Sequence, residues 1–184
     1  MLLELAGDKL VELVLRCFYA RGSLIEEIDI PDGKLRDLKT LKLINCLDLS
    51  GTGISKLTRA TGGNMVELCL FGAKVSDRID IPDGKLQDLK TLDLSYCEEL
   101  SDIGISKLIT ATGGNIVKLD LSATRVSDQI DIPDGKLQDL KTLHLSYCQE
   151  LSDIGISKFI RATGGNIVES NWHPNMYIAC SRNM

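Results

Sequence analysis

Three cysteines recur at one spacing: Cys46, Cys97 and Cys148 stand 51 residues apart. Thiols can ligate metals, carry redox chemistry or act as nucleophiles. Asp120, His144 and Ser146 are the residue types of a hydrolytic triad, although a triad also needs an oxyanion hole and a pocket that excludes water. The segment ATGGN, at Ala60, Ala111 and Ala162, has the glycines of a phosphate cradle. The segment IDIPDGKL, starting at Ile28, Ile79 and Ile130, brings aspartates such as Asp131 and Asp134 together as a calcium loop would. Which of these chemistries is open to the chain depends on the elements that carry the residues.

Those elements are repeated. Ile79–Val117 and Ile130–Val168 differ at four positions only, Asp93/His144, Glu98/Gln149, Leu108/Phe159 and Thr110/Arg161. Each 51-residue block holds a long unit of 27 residues, starting at Leu38, Leu89 and Leu140, and a short unit of 24, starting at Met65 and Ile116. A further copy, LVELVLRC, begins at Leu10, and a decayed one, IVESNW, at Ile167. This makes six units and a partial seventh within one domain spanning 1–184, with 167–184 as a degenerate C-terminal cap. In TLDLSY the apolar residues alternate, which predicts a strand with one buried face. Ser101 or Asp102 can cap a helix whose apolar stripe is Ile105, Leu108 and Ile109, and Gly113 and Gly114 end it. In the short unit Pro133-Asp134-Gly135 predicts a tight turn, with too little chain left for a helix. One such coil cannot bury its leucines alone, so the coils must stack.

The long units resemble the leucine-rich repeat family. Leu89, Leu92, Leu94, Cys97, Leu100, Asp102, Gly104, Ile105 and Leu108 match its cysteine-containing subclass, as found in F-box proteins, position by position. The short units depart from the subclass at Ala73 and Thr124, which replace the cysteine. The resemblance implies an α/β solenoid, a curved right-handed coil with a parallel sheet on its concave face and alternating helices and turns on its convex face. It also implies a protein-protein interaction module. Two alternatives are the substrate-recognition part of a ubiquitin ligase adaptor, whose F-box would lie outside this chain, and a repeat scaffold without a natural ligand.

On that frame most of the chemistry recedes. ATGGN follows a helix and precedes a strand, the reverse of a phosphate loop, and reads as a helix C-cap. DIPDG has too few oxygen ligands at set spacing for calcium and reads as a solvated turn. An open sheet supplies neither the oxyanion hole nor the dry pocket that Asp120, His144 and Ser146 would need, so no enzymatic activity and no cofactor are expected. The repeated cysteines read as small buried residues where the chain leaves the strand and turns inward, each able to reach a backbone carbonyl. Equivalent cysteines would lie two coils apart, roughly 10 Å, beyond the ~7 Å between Cα atoms that a disulfide tolerates. Cys17, Cys69 and Cys180 show no pairing pattern. All six are therefore expected to be reduced, in a cytoplasmic setting.

Strand alternation sets which residues face solvent. One row runs Val14, Lys42, Cys69, Asp93, Asp120, His144, Asn171, and a second runs Arg16, Ile44, Phe71, Ser95, Ser122, Ser146, His173. The third holds Asn45, Gly72, Tyr96, Ala123, Tyr147 and Pro174. Ile44 and Phe71 have no packing role there, and with Tyr96 and Tyr147 they read as contact anchors, since aromatics dominate binding hot spots. The candidate binding residues are thus Lys42, Ile44, Phe71, Asp93, Tyr96, Asp120, His144 and Tyr147. Asp120 should adjoin His144, giving the face a charge that changes near neutral pH.

The expected occupant is a protein. A net charge of −5, spread over 184 residues, leaves no basic stripe for nucleic acid, and no apolar run approaches a membrane span. The opening MLLELAGDKL has no basic leader and predicts no signal peptide. With aromatics at 4%, the core must be built of Leu, Ile and Val. The strand LVELVL would leave a bare sheet edge through which copies of the chain could associate.

Overall fold

The computed structural model describes residues 9–17, 30–47 and 50–172. Seven strands form a single sheet: β1 Glu12–Arg16, β2 Thr40–Ile44, β3 Glu67–Cys69, β4 Thr91–Asp93, β5 Lys118–Asp120, β6 Thr142–His144 and β7 Glu169–Ser170. They lie in sequence order and every neighbouring pair is parallel. Among the described residues three helices return the chain between them, α1 Gly51–Ala60, α2 Asp102–Ala111 and α3 Asp153–Thr163. Helical returns alternate with turns, because the short unit has room only for the Pro-Asp-Gly turn.

The register follows the leucines. Leu41, Leu68, Leu92, Leu119 and Leu143 are paired from strand to strand and are almost fully buried. Each such side chain contributes about 1.5–3 kcal/mol when covered, and the cover comes from the coils on either side. The helices add Ile54, Leu57, Ile105, Leu108, Ile109 and Phe159 to the same core. Ser50, Ser101 and Ser152 are the N-caps, each accepting from a backbone N–H in the first turn. Gly113 and Gly114, with φ of 66° and 91°, follow the end of α2 in the left-handed conformation that glycine adopts at little cost.

The cysteines behave in two ways. Cys97 and Cys148 are buried at the inward turn, and their thiols donate to Leu70 O at 3.0 Å and Leu121 O at 3.1 Å. Burial, chiefly, pushes these thiols up to about 12 and about 11. Cys46 occupies the same position, but it is bonded to Cys17 across a Cα–Cα distance of 4.7 Å. The expectation that all six cysteines are reduced is therefore corrected. That expectation compared equivalent cysteines two coils apart, whereas Cys17 and Cys46 follow neighbouring strands, one strand spacing apart. Cys180 lies outside the described residues, as do 1–8 and most of the expected C-terminal cap. Within that cap Trp172 is described and packs against the core.

Candidate binding face

Strand pairing carries Val14, Lys42, Cys69, Asp93, Asp120 and His144 across the open face in one row. Alternation puts a further row on the same face, Glu12, Thr40, Glu67, Thr91, Lys118 and Thr142, which was legible in the pattern but not singled out. Lys42 Nζ meets Glu67 Oε1 at 2.9 Å, and that hydrogen bond holds its ammonium above the usual lysine range.

Asp93 is tied down from two sides. Its Oδ1 accepts from Ser95 N at 3.0 Å and Ser95 Oγ at 2.5 Å, and its Oδ2 accepts from the Cys69 thiol at 3.3 Å. Cys69 does not stand exposed in this row as expected. It is 8% exposed, and burial raises its thiol to about 12. Ser95 and Ser122 are buried too. The strands sit only ~4.8 Å apart, so a short side chain is shielded by the residues around it even where its row neighbours are as small as itself.

Asp120 and His144 do meet. His144 Nδ1 lies 3.1 Å from Asp120 Oδ2, and Asp120 Oδ1 accepts from Ser122 N at 2.9 Å. The hydroxyl of Ser146 donates to Asn171 O at 3.2 Å, so it is not gathered with that pair as a nucleophile would be. Asn171 also closes the ladder: its Oδ1 accepts from Leu145 N at 2.9 Å. In the preceding coils the corresponding acceptors are the backbone oxygens of Asp93, Asp120 and His144.

The aromatic residues lie where the chain leaves the strands. Phe71 and Tyr96 pack with ring centroids 5.2 Å apart. Tyr96 and Tyr147 are about half exposed, and Ile44 is half-buried. Asn45, Gly72, Tyr96, Ala123 and Tyr147 all have φ between 55° and 63°. At four of them the backbone N–H donates across the coils, Asn45 N to Phe71 O at 2.7 Å, Gly72 N to Ser95 O at 2.9 Å, and Tyr96 N to Ser122 O and Ala123 N to Ser146 O, both at 2.8 Å. This repeated left-handed turn is what aims each side chain at the edge of the face.

Two further ladders were missed from sequence. Asp77 Oδ1 accepts from Ser101 N at 3.0 Å and Gly104 N at 3.1 Å, and Asp128 does the same for Ser152 and Gly155 at 2.8 Å and 2.9 Å. Each short unit thus caps the helix of the next long unit, and the signal was the recurring VSD before each. The asparagines of ATGGN reach back one coil: Asn64, Asn115 and Asn166 donate to Arg36 O, Gln87 O and Gln138 O. Among the described residues no helix is long and apolar enough to cross a membrane.

The model of the leucine-rich repeat family matches residues 85–108 and 136–159, each running from four residues before the second and third long units into their helices. No curated protein matches the chain significantly. Leucine-rich repeat domains are generally protein-interaction modules. With matched repeats, one continuous parallel sheet and a leucine core running through every coil, the protein is a leucine-rich repeat solenoid of the α/β class.

Proposed function

We propose that the chain binds a protein partner across the open face of the sheet, with Phe71, Tyr96 and Tyr147 as anchors among Lys42, Ile44, Asp93, Asp120 and His144. The carrying observation is the pair of tyrosines held at φ 61° and 62° with about half of each side chain in solvent. A left-handed conformation costs a non-glycine residue about 1–2 kcal/mol. Glycine would serve the turn, as Gly72 does one coil earlier. A bulky, half-exposed side chain kept at a strained position points to a contact made outside the chain. The test is affinity capture from a cell lysate with wild type and the Phe71→Ala/Tyr96→Ala/Tyr147→Ala variant, both shown to be folded. Specific capture should be lost in the variant, and equal capture by both would move the binding surface off this face.

The ligase-adaptor role implied by the resemblance is a narrower form of this reading, and co-purification of a ligase subunit would select it. The compartment bears on the first coil. In the reducing cytoplasm expected from the repeated cysteines, Cys17 and Cys46 would be held as thiols, and in an oxidising compartment the bond would persist. A thiol count on these two residues in protein from its native source separates the two settings.

A further inference from the structure

The two 51-residue blocks share one register, so one can be laid on the other. Tyr96 corresponds to Tyr147, Phe71 to Ser122, Cys69 to Asp120 and Asp93 to His144. The tyrosines keep the same backbone, φ 61° and 62°, and similar exposure, 46% and 49%. Their neighbours are not kept. Tyr96 packs against the ring of Phe71 at 5.2 Å, and at the place corresponding to Phe71 the Tyr147 block has only a serine. The residue two before Phe71 is the buried neutral thiol of Cys69, whereas the residue two before Ser122 is the carboxylate of Asp120.

Ser122 is itself 9% exposed, and its hydroxyl makes no hydrogen bond among the described residues. The corresponding hydroxyls of the flanking coils are used: Ser95 donates to Asp93 and Ser146 to Asn171. A buried hydroxyl without a partner is a cost that a ligand acceptor or donor removes.

We propose that this place takes an arginine side chain from the protein partner, and the proposal rests on the open-face reading above. The internal template, Phe71 against Tyr96, shows that a flat group fits beside this tyrosine. The charge complement, Asp120, makes the flat group cationic. A guanidinium meets both conditions, since it is planar, stacks on aromatic faces and is permanently charged. It also brings several N–H donors, one for an Asp120 lone pair left over beside His144 Nδ1 and the Ser122 N–H, and one for the Ser122 hydroxyl, which has no partner among the described residues. Lysine would supply charge without the plane, and phenylalanine the plane without charge.

The experiment titrates the folded full chain with four blocked tripeptides, Gly-Arg-Gly, Gly-Lys-Gly, Gly-Phe-Gly and Gly-Ala-Gly, followed by backbone amide NMR. The arginine peptide should move the amides of Ser122, Ala123 and Tyr147 and bind roughly two- to fivefold more tightly than the others. Asp120→Asn and Tyr147→Leu should each remove that preference. Ser122→Phe, which rebuilds the Tyr96 arrangement, should remove binding there while amide dispersion stays native. Shifts on this face without preference for arginine would overturn the arginine site and leave the open-face reading standing. Shifts confined to the helical side would overturn both. No shift with any peptide at saturating solubility would overturn the arginine site.

Discussion

Replacing Gly104 by alanine should destabilise the protein, although alanine in a helix interior normally gains about 1 kcal/mol over glycine. Gly104 lies in the first turn of α2, where an added Cβ would sit 2.4 Å from Leu100 Cδ1 and 2.6 Å from Asp77 Oδ1. Leu100 is fully buried and has nowhere open to swing, and overpacking of this kind costs about 1–3 kcal/mol. Asp77 cannot retreat freely either. Its carboxylate accepts from Ser101 N, Ser101 Oγ and Gly104 N, and displacing it loses at least one charge-assisted bond of about 1.5–3 kcal/mol. After the helix gain is subtracted, the net loss is roughly 1.5–5 kcal/mol. Urea unfolding followed by far-ultraviolet circular dichroism reads this as a lower midpoint. Gly155→Ala is the internal twin, with Leu151 Cδ1 at 2.4 Å and Asp128 Oδ1 at 2.7 Å. It should lose less, because Leu151 is slightly exposed and its methyl can give. In the Asp77→Ala background Gly104→Ala should cost less than in wild type, because one of its two obstacles is gone. A Gly104→Ala protein as stable as wild type, or more so, would refute the reasoning.

The Asp128 carboxyl is held below the usual carboxylate range, first by the Ser152 hydroxyl and then by the Ser152 and Gly155 N–H groups and Lys158. Its folded value is depressed, so its contribution to stability is present at neutral pH and is lost as pH falls through that value. Carbon-13 carboxyl titration should find it below an ordinary aspartate, and a value at or above ordinary would contradict the cap. Cys69, Cys97 and Cys148 have folded values raised to about 12, 12 and 11, so their contribution is complete below about pH 9 and fades as pH rises above it. Iodoacetamide at pH 8 should label them slowly in the folded protein and rapidly in urea, and fast labelling of Cys97 without urea would break the burial argument. Cys17 and Cys46 are separated by 29 residues, and closing such a loop stabilises by about 3–4 kcal/mol in the chain-entropy picture. A thiol reductant should therefore lower the urea midpoint of the wild type and leave Cys17→Ala/Cys46→Ala unchanged. Equal sensitivity of the two proteins to reductant would rule the bond out as the cause.

The amino-acid sequence alone determined the periodic features. The leucine spacing set the strand faces, the block repeat set one register for all coils, and the pairing of Asp120 with His144 followed from counting along two neighbouring strands. These are properties that a residue shares with its copies 24 or 27 positions away, so a single sequence displays them. What broke the period was decided only in three dimensions. Cys17 has no copy in a later coil, and only strand adjacency brought it to Cys46. Cys69 and Ser122 point towards solvent by alternation yet are buried, because cover depends on what surrounds a short side chain and not on direction alone. The caps from Asp77 and Asp128 join residues 24 to 27 apart through carboxylate geometry that no helix or strand pattern encodes. The left-handed φ of Tyr96 likewise comes from the closure of the coil, where the chain must turn inward while donating its N–H to the next coil, and Tyr147 repeats that φ one block later.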